Sequence, residues 1–530
     1  MKYPVGIQTF EQIREDGYVY VDKTDLIFDL VTKGKIYFLS RPRRFGKSLL
    51  ISTLKSYFEG RKELFEGLKI ASMEKEWKLY PVFLIDFNGN DFTDKDALQD
   101  TLEGYVRTWE QKYGSSPLLT TIGDRFAYVL QKAHEQTGQR CVVLVDEYDK
   151  PMLDVLDSGM RARVGENDIA LEDNNRNILK GFYSVFKKAD ADLQFVLLTG
   201  VTKFSQVSVF SGFNQPNDLS MLPQYDALCG ITDKELTTVF KDSIHELAES
   251  QRLSDEEMTK NLKRMYDGYH FSNGMTDIYN PFSLLKAFTN QQLNSYWFQS
   301  GTPTYLIRLL NHTQENLNEL VGKYYDVSQF IDYKADIEQT LPMIYQSGYL
   351  TIKDFDSEDQ TYRLDLPNNE VKKGFTVLLA ADYLKSKESP ASWLIQAQKA
   401  LRKGKPEEYR TLLTSFLASI PYTARRKENE REKERYFQYT VYLLMHMISC
   451  YTVYIEKEQS QGRADCIIET KDYVYIFEYK LDRPAVEAMA QINEKGYARE
   501  YAADHRKVYK IGCSFSSETG TVGDWACEEA

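Results

Sequence analysis

FLSRPRRFGKSLL, residues 38–50, ends like a phosphate-binding loop and begins unlike one. Gly46-Lys47-Ser48 matches the close of G-x-x-x-x-G-K-[ST], whose successive backbone N–H groups and following helix N-terminus cradle phosphates. The position this pattern reserves for its first glycine, a tight-turn residue, holds Arg41. Alone, the stretch reads either as a nucleotide site or as the basic start of a helix. Its flanks favour the nucleotide: residues 35–39 (KIYFL) form a short β-rich run, and Leu49, Leu50, Leu54 and Phe58 recur at helical spacing. Strand, loop and helix then follow in the required order.

Three more apolar runs read as buried parallel strands: PVFLIDF at 81–87, RCVVLVDEYD at 140–149 and LQFVLLTGV at 193–201. Helical segments separate them, which predicts a three-layer α/β domain over residues 1–235. The second run ends in Asp146-Glu147, the acidic partner such a loop needs. Lys47 is then expected to reach the terminal phosphates of ATP from a surface position that the fold does not need. Ser48 and Asp146 are expected to hold Mg2+, and Glu147 to polarise the attacking water as the catalytic base. Thr199, and Lys203 beyond it, are placed to sense the γ-phosphate. The competing reading of Asp146 and Glu147 is a solvated strand end.

The rest of the chain bounds the answer. It has 530 residues, too many for one ordinary core, with 42% hydrophobic and 27% charged residues, a globular composition. A formal charge of -12 gives no global attraction to nucleic acid or an anionic membrane, so any such contact is local. Six cysteines lie apart without a C-x-x-C pair, which argues against a disulfide framework or zinc site and for the reducing cytoplasm. No secretory h-region is visible near the first residues. YTVYLLMHMISCYTVYI, residues 439–455, carries His446 and falls short of a spanning helix, so no membrane association is expected.

Residues 236–420 lack long β runs and carry helical periodicity, as in KELTTVFKDSIHELAESQRL, and predict a helical middle domain. Asn280-Pro281 reads as a capped helix start. The charged run at 424–435 marks a solvated helix or linker, and residues 421–530 return to mixed α and β.

In that last segment, GRADCIIETKDYVYIFEYK carries Asp465 and then Glu478-Tyr479-Lys480. Strand alternation puts Glu478 and Lys480 on one face and Tyr479 on the other. The order resembles D-x(n)-(E/D)-x-K of the PD-(D/E)XK superfamily, in which two carboxylates hold a divalent ion and lysine positions or activates water. Asp465 and Glu478 would be the Mg2+ ligands. Glu434 stands where that superfamily has an extra acid, and Gln491 with Tyr497 fits its Q-x5-Y helix. The competing reading of Glu478 and Lys480 is a charge pair on a solvated face. Residues 421–530 hold 16 Lys+Arg against 19 Asp+Glu, so no broad basic surface is offered to phosphates.

RPRRFGKS and VDEYDKP, preceded by YVDKT and followed by TGVTKFSQVSVFSGFN, resemble the bacterial AAA-ATPase-like family, whose members carry a C-terminal PD-(D/E)XK nuclease-like domain. The resemblance covers nearly the whole chain, and arginine in place of the first glycine is that family's habit. It implies a nucleotide set of Arg41, Pro42, Arg43, Arg44, Phe45, Gly46, Lys47, Ser48 and Leu49 with Asp146 and Thr199. It also implies DNA as the partner of the C-terminal domain and leaves a homo-oligomer open. Arg41, Arg43 and Arg44 either supplement the phosphate charge, supply an arginine finger to a partner, or are solvent-exposed. The functions to be separated are a nucleotide-gated DNA-processing enzyme, an ATP-driven switch that binds without cutting, and a STAND-type sensor that assembles on ATP.

Overall fold

The computed structural model describes residues 1–156, 158–164, 166–204, 216–299, 320–331, 340–384, 390–421, 436–437, 439–441, 443–445, 452–459 and 462–530. These fall into two compact units, residues 1–315 with 320–368, and residues 369–530 with 316–319.

In the first unit, β1 (Ile36–Ser40), β2 (Val82–Asp86), β3 (Cys141–Asp146), β4 (Leu193–Gly200) and the two-residue β5 (Asn217–Asp218) form one sheet in the order β2-β3-β4-β1-β5. Every pairing is parallel. Each of the six residues of β3 is buried, the pattern a continuous apolar run predicts for a strand covered on both faces. Parallel strands need crossovers, supplied by α1 (Lys47–Phe58), α2 (Ala97–Tyr113), α3 (Ile122–Thr137) and α4 (Leu171–Tyr183). In α3, Phe126, Val129, Leu130 and Ala133 give the buried stripe. Thr121 caps its start by accepting from the Asp124 N–H, and Gly138 ends it at φ 67°. All strand C-termini therefore emerge on one edge, where the loop after β1 and the acids after β3 lie, with β4 between them.

Four helices follow, Asp233–Val239, Lys241–Gln251, Asp255–Tyr266 and Pro281–Asn290. Thr232 with Glu235 and Ser254 with Glu257 form capping boxes, and Asn280 accepts from the Ser283 N–H before Pro281. Phe240, Leu262, Leu284 and Phe288 pack at their centre, and Tyr3, Val19 and Val21 of the N-terminal segment pack against that cluster. The mainly helical stretch also holds an antiparallel sheet of β6 (Lys323–Asp326), β7 (Thr351–Asp356) and β8 (Thr361–Asp365), in the order β6-β8-β7. Its strands, KYYD, TIKDFD and TYRLD, are rich in charged and polar residues and so lack the apolar run that betrayed β3.

In the second unit β9 (Thr452–Gln459), β10 (Gly462–Glu469), β11 (Tyr473–Leu481), β12 (Lys507–Phe515) and β13 (Val522–Glu529) pair in sequence order. β11 and β12 are parallel and joined by α5 (Ala485–Lys495); the other pairs are antiparallel. Val474 and Ile476 of β11 join Met489 and Ile492 of α5 in one core. Tyr475 and Phe477 point the other way, toward the helices Pro390–Arg402 and Pro406–Ala418: Tyr475 Oη donates to the Leu401 carbonyl at 2.6 Å, and Phe477 meets Tyr409. The boundaries expected at 235/236 and 420/421 are therefore not those of the two units. The helices after residue 232 share a core with the N-terminal segment, and those at 390–418 cover the C-terminal sheet.

Candidate functional site

The first site starts at the end of β1. The Arg41 N–H donates to the Gly200 carbonyl at 3.1 Å, continuing the β1–β4 ladder by one residue. The left-handed residues of the loop are Arg44 at φ 69° and Gly46 at φ 98°; Arg41 is not among them. The turn that the usual first glycine serves is thus not made at position 41, which admits a side chain.

That side chain does not go to the phosphate side as the charge reading requires. Arg41 is 1% exposed, and its guanidinium lies 4.1 Å from the Phe271 ring centroid. Nη1 donates to the carbonyls of Ser40 at 3.0 Å and Ser220 at 2.8 Å, and Nη2 to that of Tyr225 at 3.3 Å. Arg43 and Arg44 are exposed; Arg44 stacks 5.0 Å from the Phe282 ring, and the Arg43 carbonyl accepts from Trp297 Nε1 at 3.0 Å. Pro42 is buried, and Phe45 is buried against Tyr269 and Phe271.

Lys47 is not a surface residue: it is 5% exposed. Its Nζ donates to the carbonyls of Arg41 at 2.9 Å and Pro42 at 3.2 Å, inside the concavity of the loop. Ser48 and Leu49 are half-buried on the first turn of α1, which packs against β3. Gly46 and Leu49, with Val21, Gly230, Phe240 and Pro281, border a mostly apolar pocket.

Across the edge, Asp146 is buried, and Thr199 Oγ1 donates to its Oδ1 at 2.7 Å. The Thr199 hydroxyl, fully buried, thus supports the acid. Lys203 pairs with Asp218 at 2.8 Å. Glu147 adopts φ 50°, a strained backbone for a non-glycine residue. Burial raises its carboxyl pKa, Lys47 and Arg43 oppose that rise, and Asp149 and Asp146 add to it. Lys47 and Arg43, about a hundred residues away in sequence, thus lie near enough to Glu147 to offset part of that rise.

Two acids beside them escaped the sequence reading. Asp149, 1% exposed, accepts from the N–H groups of Val201 and Thr202 and from the Thr202 hydroxyl, tying the DEYD turn to the end of β4. Asp86 faces Asp146 in the β2–β3 register, and burial, then the Asp146 charge, raises its pKa. The signal for both was present, an acid at or just past a buried strand, but such acids are common.

The second site lies on the α5 side of the C-terminal sheet. Glu478 is 1% exposed; its Oε1 lies 3.1 Å from Lys480 Nζ, and Lys480 Nζ donates to Gln491 Oε1 of α5 at 2.8 Å. Asp465 Oδ2 accepts from the Tyr479 N–H at 2.8 Å. Asp465, Glu478, Lys480 and Gln491 thus converge as their order implied, whereas Glu434 lies outside the described residues. The competing reading, a charge pair on a solvated face, does not fit a carboxylate this buried. Glu478 Oε2 is buried with no hydrogen-bond partner, and burial, then the Asp465 charge, pushes the Glu478 pKa up to about 7. An orphaned buried carboxylate oxygen beside a second carboxylate fits a divalent cation. Tyr497 packs in the core beneath α5.

A glycine-lysine-serine loop after β1 and the acid pair Asp146-Glu147 at the end of β3, with one parallel strand between, define an AAA-like P-loop domain, followed by a PD-(D/E)XK nuclease-like domain. Residues 4–210 match the family model described as predicted AAA-ATPase, and residues 432–525 that of the PD-(D/E)XK nuclease superfamily. A protein of Azotobacter chroococcum mcd 1, described as an uncharacterized protein in the vnfD 5' region, is 35% identical over 532 residues, 99% of each chain. The chain belongs to this AAA-ATPase-like family with a C-terminal PD-(D/E)XK domain. Among solved structures, the Orc1 protein of Aeropyrum pernix in complex with DNA is 10% identical, over 67% of this chain and 93% of that one, at a TM-score of 0.23; a likeness of that size carries no argument. Among the described residues no helix is long and apolar enough to cross a membrane.

Proposed function

We propose that the protein binds and hydrolyses ATP at the loop after β1 and cleaves DNA at its C-terminal domain under nucleotide control, in the cytoplasm. The observation that carries this reading is the meeting of buried Lys47, at the start of α1, with buried Asp146 and half-buried Glu147 at the end of β3. The loop N–H groups and α1 N-terminus hold the phosphates, and Lys47 Nζ turns from its two carbonyl acceptors to the terminal phosphate oxygens. The apolar pocket beside Gly46 and Leu49 takes the nucleoside. Ser48 and Asp146 hold Mg2+, which neutralises phosphate charge. Glu147 accepts the proton of the attacking water, and its raised pKa improves its match to that task.

In the C-terminal domain Asp465 and Glu478 hold the divalent ion, which stabilises charge on the attacked phosphate. Lys480, tethered to Gln491, orients the water. A second reading, an ATP-driven switch or STAND-type sensor that binds nucleic acid or protein without cutting, draws support from the excess of acids in residues 421–530, which weakens nonspecific DNA binding.

The test is purified protein incubated with plasmid DNA and with RNA, with Mg2+ or Mn2+, with and without ATP. Metal-dependent DNA cleavage that changes with ATP supports the first reading. ATP turnover without cleavage under either metal supports the second.

A further inference from the structure

The usual first glycine of a phosphate-binding loop is replaced by a residue whose guanidinium turns away from the loop. Three carbonyls, from Ser40, Ser220 and Tyr225, and the Phe271 ring hold it there. Two of those anchors lie in the segment after β5, and Phe271 is in the stretch before Pro281, so the anchorage reaches far along the chain. On the other side of the same residue, the Arg41 carbonyl accepts from Lys47 Nζ at 2.9 Å.

The geometry points to Arg41 as a positioning residue: its buried side chain fixes the main chain at position 41, and that main chain in turn fixes Lys47 and the loop N–H groups. This inference rests on the nucleotide reading of the loop. Glycine at this position in other loops relieves a turn. Here the ladder bond from Arg41 N–H to Gly200 shows the chain still extended, so glycine would relieve nothing and would release the anchor. Lysine retains the charge but has no planar fork to reach carbonyls in different directions. The substitution that completes the consensus, Arg41→Gly, is therefore expected to damage the site.

Full-length wild type, Arg41→Gly, Arg41→Lys and Phe271→Leu are compared by ATP titration calorimetry, steady-state ATP hydrolysis, and hydrogen exchange of the amides at 41–47. Arg41→Gly is expected to weaken ATP binding about tenfold or more, to lower kcat by more than it raises KM, and to speed exchange in the loop. Arg41→Lys is expected to fall between it and wild type, and Phe271→Leu to move the same readouts by about two- to fivefold. If Arg41→Gly does not fold, the other two variants decide. Wild-type ATP affinity and loop exchange in Arg41→Gly would overturn the inference, as would full recovery in Arg41→Lys, which would mean that charge alone suffices. Failure of wild type itself to bind ATP would overturn the nucleotide reading instead, and loop exchange in the variants would still show whether Arg41 fixes the main chain.

Discussion

Thr199 Oγ1 donates to Asp146 Oδ1 at 2.7 Å, joining the ends of β4 and β3 inside the protein. The bond makes the hydroxyl a support for the acid, a role that can be tested apart from γ-phosphate sensing.

Thr199→Val keeps the shape and removes the donor, leaving a buried carboxylate with one partner fewer. It is expected to cost about 1.5–3 kcal/mol of stability, the range for a hydrogen bond to a charged group, and to lower ATP turnover. Calorimetric melting with phosphate-release kinetics checks this. Unchanged melting with lost turnover would restore the sensor role.

Asp465→Asn removes one of two neighbouring carboxylates while keeping an oxygen for the Tyr479 N–H. Because the Asp465 charge disfavours ionised Glu478, the metal-free variant is expected to be more stable than wild type, on the order of 1 kcal/mol. Mn2+ is expected to raise the melting temperature of wild type and not of the variant. A destabilised metal-free variant, or an equal Mn2+ response, would contradict the two-carboxylate site.

Asp267 is buried, with Lys263 Nζ 3.4 Å from its Oδ2, and burial pushes its pKa up to about 6. A carboxyl whose folded value lies above its unfolded one contributes stability below about pH 4, and that contribution is lost as pH rises through about 6. Asp267→Asn is therefore expected to stabilise the protein by about 1–2 kcal/mol at pH 8 and to do little at pH 4. Denaturation curves at both pH values decide, and an equal effect at each would refute the assignment.

Sequence showed most clearly what depends on local pattern. The strands of the first sheet announced themselves as unbroken apolar runs because both faces are covered. The side of β11 that carries Glu478 and Lys480 followed from alternation alone. What it could not show was set by distant partners. Arg41 is basic and sits among basic residues, and only Ser220, Tyr225 and Phe271 make it a buried anchor. Lys47 looked exposed because the carbonyls that receive it belong to a loop whose path depends on Arg41. The unit boundary near residue 368 was hidden because β7 and β8, which precede it, lack the apolar runs that announce a strand, so residues 236–420 read as one helical domain.

If Lys47, Asp146 and Glu147 form one ATP-hydrolysing centre, as proposed, changing either charged side chain that faces the nucleotide must alter phosphate release. Phosphate release from Mg-ATP by wild type, Lys47→Ala and Glu147→Gln, with ATP binding measured on the same preparations, tests it most directly. Wild type is expected to turn over; Glu147→Gln is expected to bind ATP and to lose about a hundredfold or more in rate, because an amide cannot accept the proton. Lys47→Ala is expected to lose binding, with some loss of stability because Lys47 is buried and bonded to two carbonyls. Equal phosphate release by all three folded proteins would mean that these residues form no such centre.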